Sequence, residues 1–136
     1  MSQSPWTDPD AAITRVEEQV RQAEAVAAKA QALEQEMKSL IGSAQSPRRE
    51  VSATVTVQGA LIDLQLSRDA MDLDERALSK IIVDTVAKAQ RNVGERAVAL
   101  TSEAFGEDSP ITARMRVEAD ERDSRPATDG IRYEQE

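Results

Sequence analysis

Residues 51–66 read VSATVTVQGALIDLQL, and this stretch decides the fold. Val51, Ala53, Val55 and Val57 alternate with Ser52, Thr54 and Thr56, the period of a strand with one wet face. Gln58-Gly59 supplies the position of positive φ that a tight turn needs. The returning strand carries Ala60, Ile62, Leu64 and Leu66 on one face. On both sides of this hairpin the apolar period changes from 2 to about 3.6, so a helix–hairpin–helix order is expected.

Upstream, Thr7 or Asp8 can cap a helix whose first turn accepts Pro9 and whose positive end suits Asp10. Ile13, Val16, Val20, Ala23, Ala27 and Ala30 then form a stripe with a repeat near 3.5, and Val26, Leu33, Met37 and Leu40 continue it. Alanine in the middle of such a seam points to a close partner. Ile41-Gly42 ends this helix. A short strand at about 42–46, followed by a Ser46-Pro47-Arg48-Arg49 turn, makes a third antiparallel strand.

Downstream, Asp72 and Glu75 have the spacing of a capping box. Leu78, Ile81, Ile82, Thr85, Val86, Ala89, Val93, Ala97, Leu100 and Ala104 line one face of a helix over 73–105, and Gly106 stops it. Such a helix is ~50 Å long at 1.5 Å per residue. It overhangs a small sheet, and a symmetric dimer is the simplest cover for the excess apolar stripe. The core and dimer residues expected are Val55, Val57, Ile62, Leu64, Leu66, Ile82 and Val86. Three segments follow: a flexible terminus over 1–8, a folded domain over 9–106, and an acidic, disordered tail over 107–136. The fold class is α+β, two long helices flanking a small three-stranded antiparallel sheet (α-β-β-β-α), dimeric.

Of the 136 residues 2% are aromatic, so the core is aliphatic and alanine-rich. The chain has no cysteine and no histidine. Disulfides, Cys/His zinc sites and Ser–His or Cys–His catalytic pairs are thereby excluded. The acids at 72–75 do not make a calcium loop, because Arg76 and Ala77 stand where an acid or amide and a glycine are needed. Glu17 and Glu18 are adjacent on a helix and point apart, so they read as a solvated face. No enzyme and no cofactor is expected. No apolar run reaches the ~20 residues of a membrane span. A soluble, cytoplasmic protein is expected.

Net charge is −8, unevenly spread. The tail over 107–136 holds nine acids against five arginines, and 8–41 holds seven acids against four bases. Over 76–96 the sign reverses: Arg76, Lys80, Lys88, Arg91 and Arg96 outnumber Asp84 and Glu95. This segment is where a duplex would bind electrostatically. Lys80–Asp84 and Asp84–Lys88 also have i,i+4 spacing, so a solvated face laced with ion pairs is the plainer alternative. Arg48 and Arg49 offer a forked donor pair for phosphate, or equally partners for Glu50.

The segment SAQSPRREVSATVTVQGALIDLQLSRDAM, followed by LDERALSKIIVDTVAKAQRNVGERA, resembles the YbaB/EbfC family of small bacterial nucleoid-associated proteins, in its actinobacterial style. The shared pattern is a Ser-Pro turn, a Val-rich strand ending in Gly, a strand of alternating Ile/Leu, and a long Ala-containing helix. The resemblance covers about 9–105. It implies a protomer that dimerises through sheet and helices and projects its helices like tweezers. It further implies binding to double-stranded DNA with little sequence preference, at the nucleoid. The helical arms would supply the contacts, through Lys80, Lys88, Arg91 and Arg96 with Arg15, Arg21 and Lys29. The acidic balance and a history of related proteins in type VII secretion support another expectation. In it the chain is a protein-interaction module, an accessory factor or scaffold acting on a protein partner.

Overall fold

The computed structural model describes residues 8–123. It divides into two compact units, Met1–Gln35 and Glu36–Glu136. The expected flexible terminus, apart from Asp8, lies outside the described residues.

Helix α1 spans Pro9–Lys38. Asp8 starts it, its Oδ1 accepting the N–H groups of Asp10 at 3.1 Å and Ala11 at 3.4 Å. No residue of α1 is buried, and Ile13, Val16, Val20 and Val26 of the apolar stripe stand about half exposed in the single chain.

The second unit is built on a sheet of order β1-β2-β3, with β1 at Ile41–Gln45, β2 at Val51–Thr56 and β3 at Leu61–Leu66. Both pairings are antiparallel. Gly42, Ala44, Ala53 and Val55 share a face, because cross-strand partners (Gly42↔Val55, Ala44↔Ala53) point the same way. Thr54 and Ser52 lie on the other face, as their alternation predicts.

At the hairpin Gly59 has φ 87°, and its N–H donates to the Thr56 carbonyl at 2.8 Å. The connection is wider than a two-residue turn. Val57 leaves the strand to pack, half-buried, on the core. The face expected for β3 needs one correction. A bulge between Thr54 and Val55 pairs Val55 with Leu61, so Ile62 is the extra residue. Leu61, Leu64 and Leu66 therefore share the face of Val55, Ala53 and Val51. All of β3 is exposed in the single chain. Helix α2 (Glu75–Phe105) packs across β1 and β2.

A 3-10 turn, α3, spans Asp69–Asp72 ahead of α2. The helix cap is Asp74 and not Asp72: Leu73 is extended, and the Asp74 side chain accepts the Ala77 N–H at 2.8 Å. Thr85, Ala89, Val93, Ala97 and Thr101, four apart, make the buried stripe of α2. Ala53, Val55, Ala89 and Val93 form the core cluster, ringed by Leu40, Ala44, Val57 and Val86. Gly42 lets β1 approach α2. A Cβ there would sit 2.5 Å from Val93 Cβ and 2.6 Å from the Ala89 carbonyl oxygen.

The segment expected as a disordered tail is folded over part of its length. Helix α4 spans Pro110–Asp123 and packs on α2. Gly106 (φ 91°) turns the chain back, and buried Thr112 donates its hydroxyl to the Gly106 carbonyl at 2.7 Å. The small residues Gly94 and Ala119 face each other between the two helices. The sequence carries no long apolar stripe here. Contact through small residues needs none, so its absence did not signal disorder.

Candidate nucleic-acid interface

Lys80, Lys88 and Arg91 lie on α2 away from its buried stripe, and all three are exposed. None makes an ion pair or a side-chain hydrogen bond among the described residues. The i,i+4 pairs through Asp84 are therefore not formed. Asp84, between Lys80 and Lys88, and Glu95, one turn beyond Arg91, are also exposed on the same side of the helix, so the face is mixed in charge with a small basic excess. Arg96 has a different role. Its Nη1 donates to the Ile41 carbonyl at 2.7 Å, tying α2 to the start of β1. Arg15, Arg21 and Lys29 are exposed on α1.

Arg48 and Arg49 sit in the β1–β2 turn. The Arg49 N–H donates to the Ser46 carbonyl at 2.9 Å, and Arg49 has φ 61°. It is the one described non-glycine residue with positive φ. Glu50, the expected neighbour for these arginines, is turned inward. It is 8% exposed and accepts the Ser46 hydroxyl at 3.2 Å, while Ser46 Oγ accepts the Val51 N–H at 3.0 Å. Both arginine side chains are exposed and free of partners among the described residues.

The remaining expected residues divide between core and surface. Val55 is fully buried, and Val57, Ile82 and Val86 are half-buried. Ile62, Leu64 and Leu66 are exposed on β3, outside the core of the single chain. Among the described residues no helix is long and apolar enough to cross a membrane, and no three acids are grouped to hold a metal ion.

The profile of the YbaB/EbfC DNA-binding family matches residues 13–108. The chain belongs to the YbaB/EbfC DNA-binding family. The match takes in α1 from Ile13, the whole sheet and α2, and ends before α4. In comparisons with curated proteins and with solved structures nothing matches significantly. For this YbaB/EbfC member, sequence reasoning missed Arg68. It is exposed, without a side-chain partner, and lies just beyond β3 at the sheet end that carries Arg48 and Arg49. The strand alternation held the signal: ending β3 at Leu66, opposite Val51, brings Arg68 level with the β1–β2 turn.

Proposed function

We propose that this chain is a non-enzymatic, nucleoid-associated protein that binds duplex DNA through phosphate contacts with little sequence preference, as a homodimer. The observation that carries the reading is a set of exposed, unpaired bases on α2 in a chain of the YbaB/EbfC DNA-binding family. Lys80, Lys88 and Arg91 supply the contacts from α2. Arg96, held by the Ile41 carbonyl, contributes chiefly to positioning α2. Backbone contacts of this kind fix the protein on the duplex without reading bases.

The dimer is supported by two apolar surfaces left open in the single chain. One is the Ile13–Val16–Val20 stripe of α1, and the other is Leu61, Leu64 and Leu66 on the edge strand β3. An exposed apolar edge strand is an aggregation hazard unless something covers it. A second copy doubles the number of bases offered to the duplex.

The test is anisotropy of a labelled random-sequence duplex at ~50 and ~200 mM salt. Wild type is expected to bind and to weaken steeply with salt. Lys88→Glu with Arg91→Glu weakens binding to all duplexes alike and flattens the salt slope by ~2 per protomer engaged. Unchanged affinity in that double variant refutes the site on α2. The interleaved Asp84 and Glu95 favour one second reading, a protein-interaction module using the same open apolar surfaces. Absence of duplex binding by wild type at ~50 mM salt decides for that module.

A further inference from the structure

The β1–β2 turn holds three facts that a solubilising loop does not require. First, Arg49 occupies the left-handed region at φ 61°. A side chain there costs free energy that glycine does not incur. Second, the one acid of the turn, Glu50, is withdrawn from the arginines and bonded to Ser46. Third, the turn is not alone. Val51 pairs with Leu66, and the Ser67 N–H donates to the Glu50 carbonyl at 2.8 Å, so Arg68 follows directly on the chain that borders the turn. Three exposed guanidinium groups thus share one end of the sheet without an ion pair among the described residues. The acids next along the chain, Asp69 and Asp72, belong to α3 and make no ion pair with them. Like charges gathered this way repel one another, in a chain whose net charge is −8. A polyanion relieves that repulsion.

We infer that Arg48, Arg49 and Arg68 form a second phosphate-contact patch for duplex DNA, separate from the polar side of α2. The inference rests on the DNA-binding reading above and extends it to the sheet. Guanidinium forks suit phosphate oxygens, and each contact to duplex phosphate releases about 0.9 counterion. At 0.1 M salt that corresponds to roughly eightfold in affinity per contact, and to hundreds of fold for three. The sheet end and the α2 face then act additively, since they share no residue.

The experiment uses the full chain and the same labelled random-sequence duplex across a salt series. Arg49→Gly is expected to weaken binding about eightfold at 0.1 M salt while its thermal midpoint rises, because glycine relaxes the backbone. Arg48→Gln with Arg68→Gln keeps the turn conformation and is expected to flatten the salt slope by ~2. The triple variant is expected to weaken binding by hundreds of fold at 0.1 M salt and to flatten the slope by ~3. If wild type binds and all these variants bind with its affinity and slope, the patch is refuted while the DNA-binding reading stands. If wild type does not bind at ~50 mM salt, that reading fails and the patch with it. A lower midpoint for Arg49→Gly overturns the backbone part of the argument.

Discussion

Gly42→Ala tests how β1 and α2 are held together. The added Cβ would stand 2.5 Å from Val93 Cβ, 2.6 Å from the Ala89 carbonyl oxygen and 2.6 Å from the Val93 nitrogen. Ordinary contacts of these kinds need 3.4 Å or more, so β1 and α2 must separate by nearly 1 Å. Two of the three atoms are helix backbone, and no rotamer change relieves them. The separation opens the cluster of Ala53, Val55, Ala89 and Val93. Overpacking of this kind costs about 3 kcal/mol, at the upper end of its usual range. Removing the chain entropy of a strand glycine returns about 0.5–1 kcal/mol. The net loss of roughly 2 kcal/mol is a large share of the 5–15 kcal/mol that a domain commands. Urea and thermal unfolding, followed by far-UV dichroism, should show a midpoint lowered by ~8–16 °C. Adding Val93→Ala must not restore it, because alanine keeps the offending Cβ. Gly94→Ala is the contrast. Its Cβ would meet only Ala119 Cβ, at 3.8 Å, and the helix gains about 1 kcal/mol. A Gly42→Ala protein as stable as wild type, or one rescued by Val93→Ala, would refute the close-approach argument.

Asp74→Ala removes the acceptor of the Ala77 N–H and should cost about 1 kcal/mol by urea titration, while Asp72→Ala changes little. Leu64→Glu on β3 is exposed in the single chain, so it should leave the thermal midpoint of the monomeric fold nearly intact yet shift sedimentation from dimer to monomer. A dimer that persists in this variant removes β3 from the interface. Glu118→Gln with Asp120→Asn, two exposed acids of α4, should tighten duplex binding about two- to threefold at ~50 mM salt and hardly at all at ~200 mM. Unchanged binding at low salt would count against repulsion by α4.

The architecture was readable wherever one local rule governed. Alternation set β2, Gly59 set the hairpin, and the four-residue repeat of Ala89, Val93 and Ala97 set the inner face of α2, which the structure extends to Thr101. Errors arose where two rules competed. Asp72 and Asp74 both precede the helix, and the extended Leu73 between them, not spacing, selects Asp74. The bulge at Val55 moves Leu61 into line and Ile62 out of it, a register change that no alternating pattern announces. Helix α4 was hidden by its composition: its contacts include Ala119 against Gly94 and the Thr112 hydroxyl on the Gly106 carbonyl, which no apolar period announces. The bases were visible one by one. Whether each was free or engaged was not: Arg96 is bound to a strand carbonyl, whereas Arg49 is free because Glu50 folds inward.

These placements bear on how an acidic chain can hold a polyanion. Residues 41–106 carry eight bases against nine acids, one of them the buried Glu50, so the sheet and α2 are close to neutral. The surplus of acid resides in α1 and beyond Gly106, where 107–123 alone has six acids against three arginines. Ala119 faces Gly94, so Glu118 and Asp120 flank the α2 segment one turn beyond Arg91 and two turns beyond Lys88. Two charges ~10 Å away in water exert about 0.4 kcal/mol each before screening, and salt reduces that further. Such repulsion trims affinity by a small factor and does not abolish it. A contact patch at the β1–β2 turn, the sheet end opposite Gly59 and its Gln90 partner, has its own three arginines and no acid turned toward them from within the turn. The net charge of the whole chain is therefore a poor guide to its affinity for DNA; the free bases and the salt dependence they impose are the better one.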